Sequence, residues 1–161
     1  MLTIRRAETA DFAAIWPIFY RVVGEGTTYA FAPDTSREEA QCLWMGPGLH
    51  TYVALEDERV VGTYFFKANQ PGLGAHVANA GYMVDPDGNR RGVGRAMGEH
   101  SLQEAKQQGF KALQFNFVVS TNERAVRLWQ ALGFQIVGTV PQAFQHRTLG
   151  LVDVYIMHRF L

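Results

Sequence analysis

Apolar positions along the 161-residue chain switch between helical and strand spacing, and the switches divide it into elements. Leu2 to Arg5 reads as a short strand. From Thr9 to about Val23, the residues Phe12, Ile15, Phe19 and Val22 recur at helical spacing and predict a helix. The turn-rich, aromatic stretch Gly24 to Asp34 predicts an ordered loop. Ser36 and Glu39 form a capping-box pattern that opens a second helix, ended by Gly46-Pro47-Gly48. Thr51 to Glu56 and Val60 to Ala68 flank the turn signal Asp57-Glu58-Arg59 and predict a hairpin. A strand over His76 to Val84 follows, then a helix from Val93 to about Gln108, closed by Gly109. Lys111 to Val119 predicts a strand, Glu123 to Leu132 a helix, and Phe134 to Val140 and Val152 to Phe160 two last strands. A mixed sheet carrying helices, in the α/β or α+β range, accounts for this order. No repeat or linker interrupts it, so a single domain over 1–161 is expected.

Composition narrows the class. The chain is 47% hydrophobic and 19% charged, as in ordinary globular proteins. Fifteen basic side chains balance fifteen acidic ones, which argues against a dedicated nucleic-acid binder. Cys42 is the sole cysteine, so an internal disulfide is excluded and a cysteine-ligated metal site is not expected. No apolar run approaches the roughly 18 residues of a membrane span, and Met1 to Phe12 carries no signal-peptide stretch. A cytoplasmic setting without membrane contact is the expectation. Twelve of the fifteen basic residues are arginines, the side chain suited to bidentate phosphate and carboxylate recognition.

Arg90, Arg91 and Arg95 crowd one segment, Val84 to His100, in which a strand, a turn and a helix opening with Gly92 and Gly94 succeed one another. Glycines let a ligand approach the backbone, and the free N–H groups of a helix start attract anions. A pyrophosphate-bearing ligand fits; a merely solvated helix cap is the competing reading. A dinucleotide-binding fingerprint would need glycine at Met97 and an acid after the next strand, and both are missing. A Walker loop would need Gly-Lys-Ser/Thr. A second strand-to-helix junction, Ser120 to Phe134, places Asn122 at a helix start, with Ala125, Leu128, Trp129 and Leu132 on its apolar face.

In order and spacing, these segments resemble the GNAT acetyltransferase superfamily over essentially the whole chain. The resemblance rests on TIRRAETADFAAI with Arg6, Ala7 and Asp11, on VGTYFF, on RRGVGRAM and on NERAVRLWQALGF. It implies a mixed, mostly antiparallel sheet of six to seven strands with splayed central strands and about four helices. It also implies transfer of an acetyl group from acetyl-CoA to an amine, without a metal. The implied cofactor set is Met83 and Val84 on the splayed strand, Arg90, Arg91, Gly92, Val93, Gly94, Arg95 and Ala96 around the pyrophosphate, and Asn122, Arg124 and Trp129 at the second junction. A backbone donor near Met83 would polarise the thioester carbonyl. Two positions depart from the family pattern. Asn89 replaces the usual glutamine or arginine, which implies tuned cofactor affinity. Trp129 stands where many relatives carry the tyrosine that protonates the departing thiolate; Tyr82, Ser120 and Thr121 are then alternative donors, and plain core packing is the other role for Trp129.

On the acceptor side, Glu25 is the first candidate for the base, with His76 and His146 behind it. Asp85 is expected to cap a turn, and Cys42 is not expected to act as a nucleophile. Asparagine is depleted in strands, yet Asn79 and Asn116 fall in the two strands expected to splay, with Asn122 just beyond. Either they bind a small acceptor or they satisfy backbone at the splay. The asparagine trio is similar to yeast acetyltransferases acting on proline analogues, and GEGTTYAF to the loop of phosphinothricin-type acetyltransferases, with Tyr29, Phe31 and Phe144 as pocket walls. Both resemblances imply an amino-acid-like acceptor. A peptide or protein amine, or a non-catalytic acyl-CoA sensor, are the alternatives. Homodimers are common in the family and are carried as an expectation.

Overall fold

The computed structural model describes residues 1–88 and 91–161. Seven strands, β1 (Leu2–Arg6), β2 (His50–Glu56), β3 (Arg59–Ala68), β4 (Val77–Val84), β5 (Ala112–Val119), β6 (Gln135–His146) and β7 (Gly150–Phe160), form one sheet in the order β1-β2-β3-β4-β5-β7-β6. Every neighbouring pair is antiparallel except β4–β5, which is parallel. Helices α1 (Phe12–Glu25) and α2 (Arg37–Met45) cover one face, and α3 (Val93–Gln107) and α4 (Glu123–Ala131) the other.

Each face has a core of its own. Phe12, Ile15, Phe19 and Val23 of α1 pack with Trp44 of α2 on Val53, Phe65 and Met83 of the sheet. Under α3, Tyr52, Tyr64 and Tyr82 stand directly opposite one another on β2, β3 and β4. Their rings stack at centroid distances of 4.9 and 5.5 Å. Burying three phenols strands three hydroxyls unless each finds a partner. All three find it on α3: Tyr52 donates to Glu104 at 2.9 Å, Tyr64 meets His100 Nδ1 at 2.7 Å, and Tyr82 meets Ser101 Oγ at 2.7 Å. This ladder fixes how α3 lies across the sheet.

Two boundaries differ from the sequence expectation. The first turn of the expected first helix, Thr9–Asp11, is a 3₁₀ turn closed by a Glu8–Asp11 capping box, and α1 runs on to Glu25 before Gly26 ends it in a left-handed conformation (φ 67°). Glu25 is therefore the last residue of α1 and not part of the loop. The last two strands are also longer than expected, reaching His146 and starting at Gly150. Pro141 does not stop β6, because β6 is an edge strand and the register shifts between Val140 and Phe144 absorb it. Gln142, at φ 51°, donates its N–H to Asp153 Oδ1 within that bulge.

Candidate active site

Backbone pairing joins β4 to β5 only from Val77–Asn79 against Ala112–Gln114. Past that rung the strands part, and the sheet carries a wedge open toward their carboxyl ends. Because the two strands are parallel, the helices that follow them, α3 and α4, both begin at the open end. Opposed anion-attracting helix starts thus flank one opening.

A side chain marks the closed end. Asn79 Nδ2 donates to the Gln114 carbonyl at 3.0 Å. Gln114 Nε2 donates to Asn116 Oδ1 at 2.9 Å, and Asn116 Nδ2 to Asn69 Oδ1 at 2.7 Å. Asn79 and Asn116 therefore do come together, linked by Gln114. Asn79 satisfies backbone at the splay, one of the two roles open to it, while Asn116 bonds to the side chains of Gln114 and Asn69. Gln114 and Asn69 went unrecognised in the sequence, although a glutamine between Leu113 and Phe115 was the available signal.

The unpaired edge of β4 supplies backbone donors. Asp85 N–H bonds to the Val61 carbonyl, and Asn69 N–H to the Val77 carbonyl. With the unbroken register between them, odd positions of β4 turn their backbone toward β3, and Ala80, Tyr82 and Val84 turn theirs toward the wedge. Met83 thus directs its backbone to β3 and its side chain, 2% exposed, into the core under α1. The nearest wedge-facing groups belong to Tyr82 and Val84. Tyr29, from the loop between α1 and α2, already engages those of Tyr82: its hydroxyl accepts from Tyr82 N–H at 2.8 Å and donates to the Tyr82 carbonyl at 2.9 Å.

At the open end, Gly92 caps α3 in the left-handed region (φ 87°) and offers no capping side chain. Ala96 N–H returns to the Gly92 carbonyl at 2.9 Å, so the helix geometry leaves the N–H groups of Val93, Gly94 and Arg95 without intrahelical acceptors. A Cβ on Gly92 would meet nothing within 4 Å, and one on Gly94 would enter the gap between Leu128 of α4 and Val84 of β4, 3.6 and 3.7 Å away. Three directed donors on a helix start that opens with Gly92 and Gly94 fit a diphosphate, and the unpaired edge of β4 fits an amide-containing chain leading inward. Arg91 is exposed; Arg95, also exposed, pairs with Glu99 at 2.9 Å. Arg90 lies outside the described residues.

Ion pairs moor the loop before α3. Buried Asp85 accepts from Arg59 Nη2 at 2.6 Å and caps Asp87 N–H at 3.0 Å. Arg21 of α1 grips Asp87 with both nitrogens, one at 2.7 Å, and holds its carboxyl below the usual carboxylate range.

The remaining candidates lie on several elements. Asn122 caps α4, accepting from Ala125 N–H at 3.4 Å, and Arg124 is exposed two residues on, in the first turn. Trp129 packs on Tyr82, Phe115 and Phe134, with centroids 4.6, 4.7 and 5.9 Å away, which is the packing role. Exposed Glu25 ends α1, beside Gly26, whose carbonyl accepts from Arg147 N–H at 3.0 Å. The tip of the β6–β7 hairpin thus meets the end of α1. His146 Nδ1 accepts from Thr148 and Leu149 N–H, which builds that hairpin turn, and His76 is exposed where β4 begins. Cys42 is exposed on α2. Among the described residues no group of three His, Cys, Asp or Glu side chains could hold a metal ion, and no helix is long and apolar enough to cross a membrane.

Comparison with known proteins gives the same answer from another direction. Residues 13–134 match the acetyltransferase (GNAT) family. A GCN5-related N-acetyltransferase from Kribbella flavida superposes with a TM-score of 0.94 at 48% identity, over 99% of this chain and 98% of that one. The N-acetyltransferase aca1 of Schizosaccharomyces pombe is 36% identical over 98 residues, covering 60% of this chain and 47% of aca1, so the match spans just under half of that protein. The L-amino acid N-acetyltransferase AaaT of Escherichia coli is 28% identical over 159 residues, covering 98% and 97%. Chains of this fold, a phosphinothricin acetyltransferase among them, have been solved with acetyl-CoA in place.

Proposed function

The chain belongs to the GNAT family of acetyl-CoA-dependent acyltransferases, and on that premise we propose that it transfers the acetyl group directly to the amine of a small, amino-acid-like molecule. The wedge between β4 and β5 carries this reading, with phosphate-sized donors at one end and an amide-lined floor at the other.

Val93, Gly94 and Arg95 hold the pyrophosphate through their N–H groups, with Arg90 and Arg91 adding positive charge. Ala80, Tyr82 and Val84 pair with the pantetheine arm, and Asn122 and Arg124 line the opposite lip. Tyr82 N–H polarises the thioester carbonyl. Acetyl-CoA supplies an activated acyl group whose thiol leaving group is stable as a thiolate near pH 8.5, roughly a thiol's reference pKa. Asn79 and Asn116 orient the acceptor, and Glu25, at the rim between α1 and the β6–β7 tip, takes the amine proton through water. Proximity within the wedge supplies much of the rate.

The amide floor supports an amino-acid acceptor, because neutral amides bind carboxylate and ammonium groups without shifting their charge. The near full-length relation to an L-amino acid acetyltransferase supports the same class. The free edge of β6, with Ile136, Val137 and Val140 exposed along it, supports a homodimer. We place the protein in the cytoplasm, where exposed Cys42 stays reduced. An amine panel with acetyl-CoA, read by thiol release, tests the acceptor class. Turnover of peptides alone would instead assign a protein N-acetyltransferase.

A further inference from the structure

We propose that Tyr29 is a catalytic residue of this chain, its hydroxyl donating a second hydrogen bond to the thioester oxygen that takes the Tyr82 N–H. The inference rests on the acyl-transfer reading above and adds to it a side chain from the acceptor loop.

Placement comes first. Tyr29 Oη lies 2.8 Å from Tyr82 N and 2.9 Å from Tyr82 O, on the strand edge that parting from β5 leaves unpaired. An N–H group directs one strong hydrogen bond, so Tyr29 Oη stands where a thioester oxygen bound by that N–H would stand. Packing sets the direction from which the side chain reaches that edge. Its ring stacks on Phe31 at 5.6 Å and meets Trp44 edge-on at 6.0 Å. The neighbouring Gly81 makes room, since a Cβ at that position would come within 3.1 Å of Tyr29 Oη and 2.9 Å of Phe65. A strand glycine and a loop tyrosine 52 positions apart thus fit each other, which a spacer residue would not require.

An oxyanion has room for a second donor beside the Tyr82 N–H. Trp129 is packed on Tyr82, Phe115 and Phe134. The hydroxyl of Tyr82 is turned away toward Ser101, which itself donates to the Gly98 carbonyl at 2.7 Å. Tyr29 is therefore the phenol that, among the described residues, bonds to the wedge-facing edge of β4. Burial raises its pKa, so the proton stays on the hydroxyl. When an oxygen takes the Tyr82 N–H, Tyr29 backs off by about one contact and turns its O–H from the Tyr82 carbonyl onto that oxygen, whose second lone pair is free to accept. No proton moves to or from Tyr29; the bond strengthens as negative charge builds on the oxygen.

Tyr29→Phe removes the hydroxyl and keeps the ring. Its folding is checked by circular dichroism, and acetyl-CoA labelled with ¹³C at the carbonyl is bound to both proteins without any amine. We expect the bound carbonyl stretch of the variant at higher wavenumber than in the wild type. We also expect kcat to fall by about 10²-fold with little change in the KM for acetyl-CoA, the size of losing one oxyanion donor. A folded variant that binds acetyl-CoA with an unmoved carbonyl band, or with kcat retained, overturns the proposal. The band is read without an acceptor, so it tests Tyr29 even if no amine proves to be a substrate. Failure of the wild type to bind acetyl-CoA overturns this proposal and the functional reading together.

Discussion

Asn79 donates from Nδ2 to the carbonyl of Gln114 at 3.0 Å, across the last rung that joins β4 to β5. One residue further on, the backbone ladder ends. A side-chain bond thus sets where the wedge begins, and with it the distance from the amide floor to the backbone edge of Tyr82. Replacing Asn79 with Leu keeps the volume and removes the donor, leaving a half-buried carbonyl unpaired. The expected loss is about 1 kcal/mol, or a fall in Tm of about 2–4 °C for a chain of this size, measured by thermal denaturation. The KM for the acceptor should rise more than that for acetyl-CoA.

Gly94 faces the gap between Val84 and Leu128 at ordinary contact distances, so a longer side chain would enter the wedge without breaking the core. Gly94→Glu should leave Tm nearly unchanged and abolish acetyl-CoA binding in calorimetry, because a carboxylate would sit against the pyrophosphate donors. Binding retained by this variant would move the cofactor out of the wedge.

Trp129 is packed among Tyr82, Phe115 and Phe134 at 7% exposure. Trp129→Phe should therefore keep kcat within about tenfold of wild type, a barrier change of about 1.4 kcal/mol. A much larger loss in a folded variant would make the indole part of the chemistry.

His100 makes stability depend on pH. Burial lowers its pKa from the ordinary 6.5, while Glu104 pulls the other way. Its Nδ1 meets the hydroxyl of Tyr64, itself held protonated by burial. The folded state binds the proton less readily than the unfolded state, so the contribution of His100 is full above about pH 6.5 and is lost as pH falls below it. His50, lowered by burial and by Arg6, acts in the same direction. Asp11 and Asp87, lowered mainly by Arg5 and Arg21, lose their contributions only at more acidic pH, near 4 and below. Tm should decline between pH 7 and 5.5, and His100→Gln, which keeps an acceptor for Tyr64, should flatten that decline.

The two junctions that flank the wedge were legible in the sequence because their parts are local, whereas the splay of β4 from β5 came only with the family resemblance. Gly92 and Gly94 follow a strand and open a helix, and Asn122 opens the next, so both junctions can be read within a few residues. Tyr29 was legible only as an aromatic wall. Its hydroxyl gains meaning from Tyr82 and Gly81, some fifty residues away, and no periodicity carries such a contact. The amide chain was half legible: Asn79 and Asn116 stand out in their strands, while Gln114 and Asn69 acquire their role only when β5 is laid beside β4, with the end of β3 on its other side. The length of β6 was not legible, because Pro141 is a strand breaker in general and only an edge strand tolerates it through a bulge.

Release of CoA from acetyl-CoA across a panel of free amino acids, their analogues, simple amines and short peptides decides whether the wedge acetylates small amines. The wedge geometry predicts CoA release that depends on added amine and is fastest with small amino-acid-like acceptors. Tight acetyl-CoA binding with no amine-dependent release from any member of the panel would contradict it and leave an acyl-CoA sensor in its place.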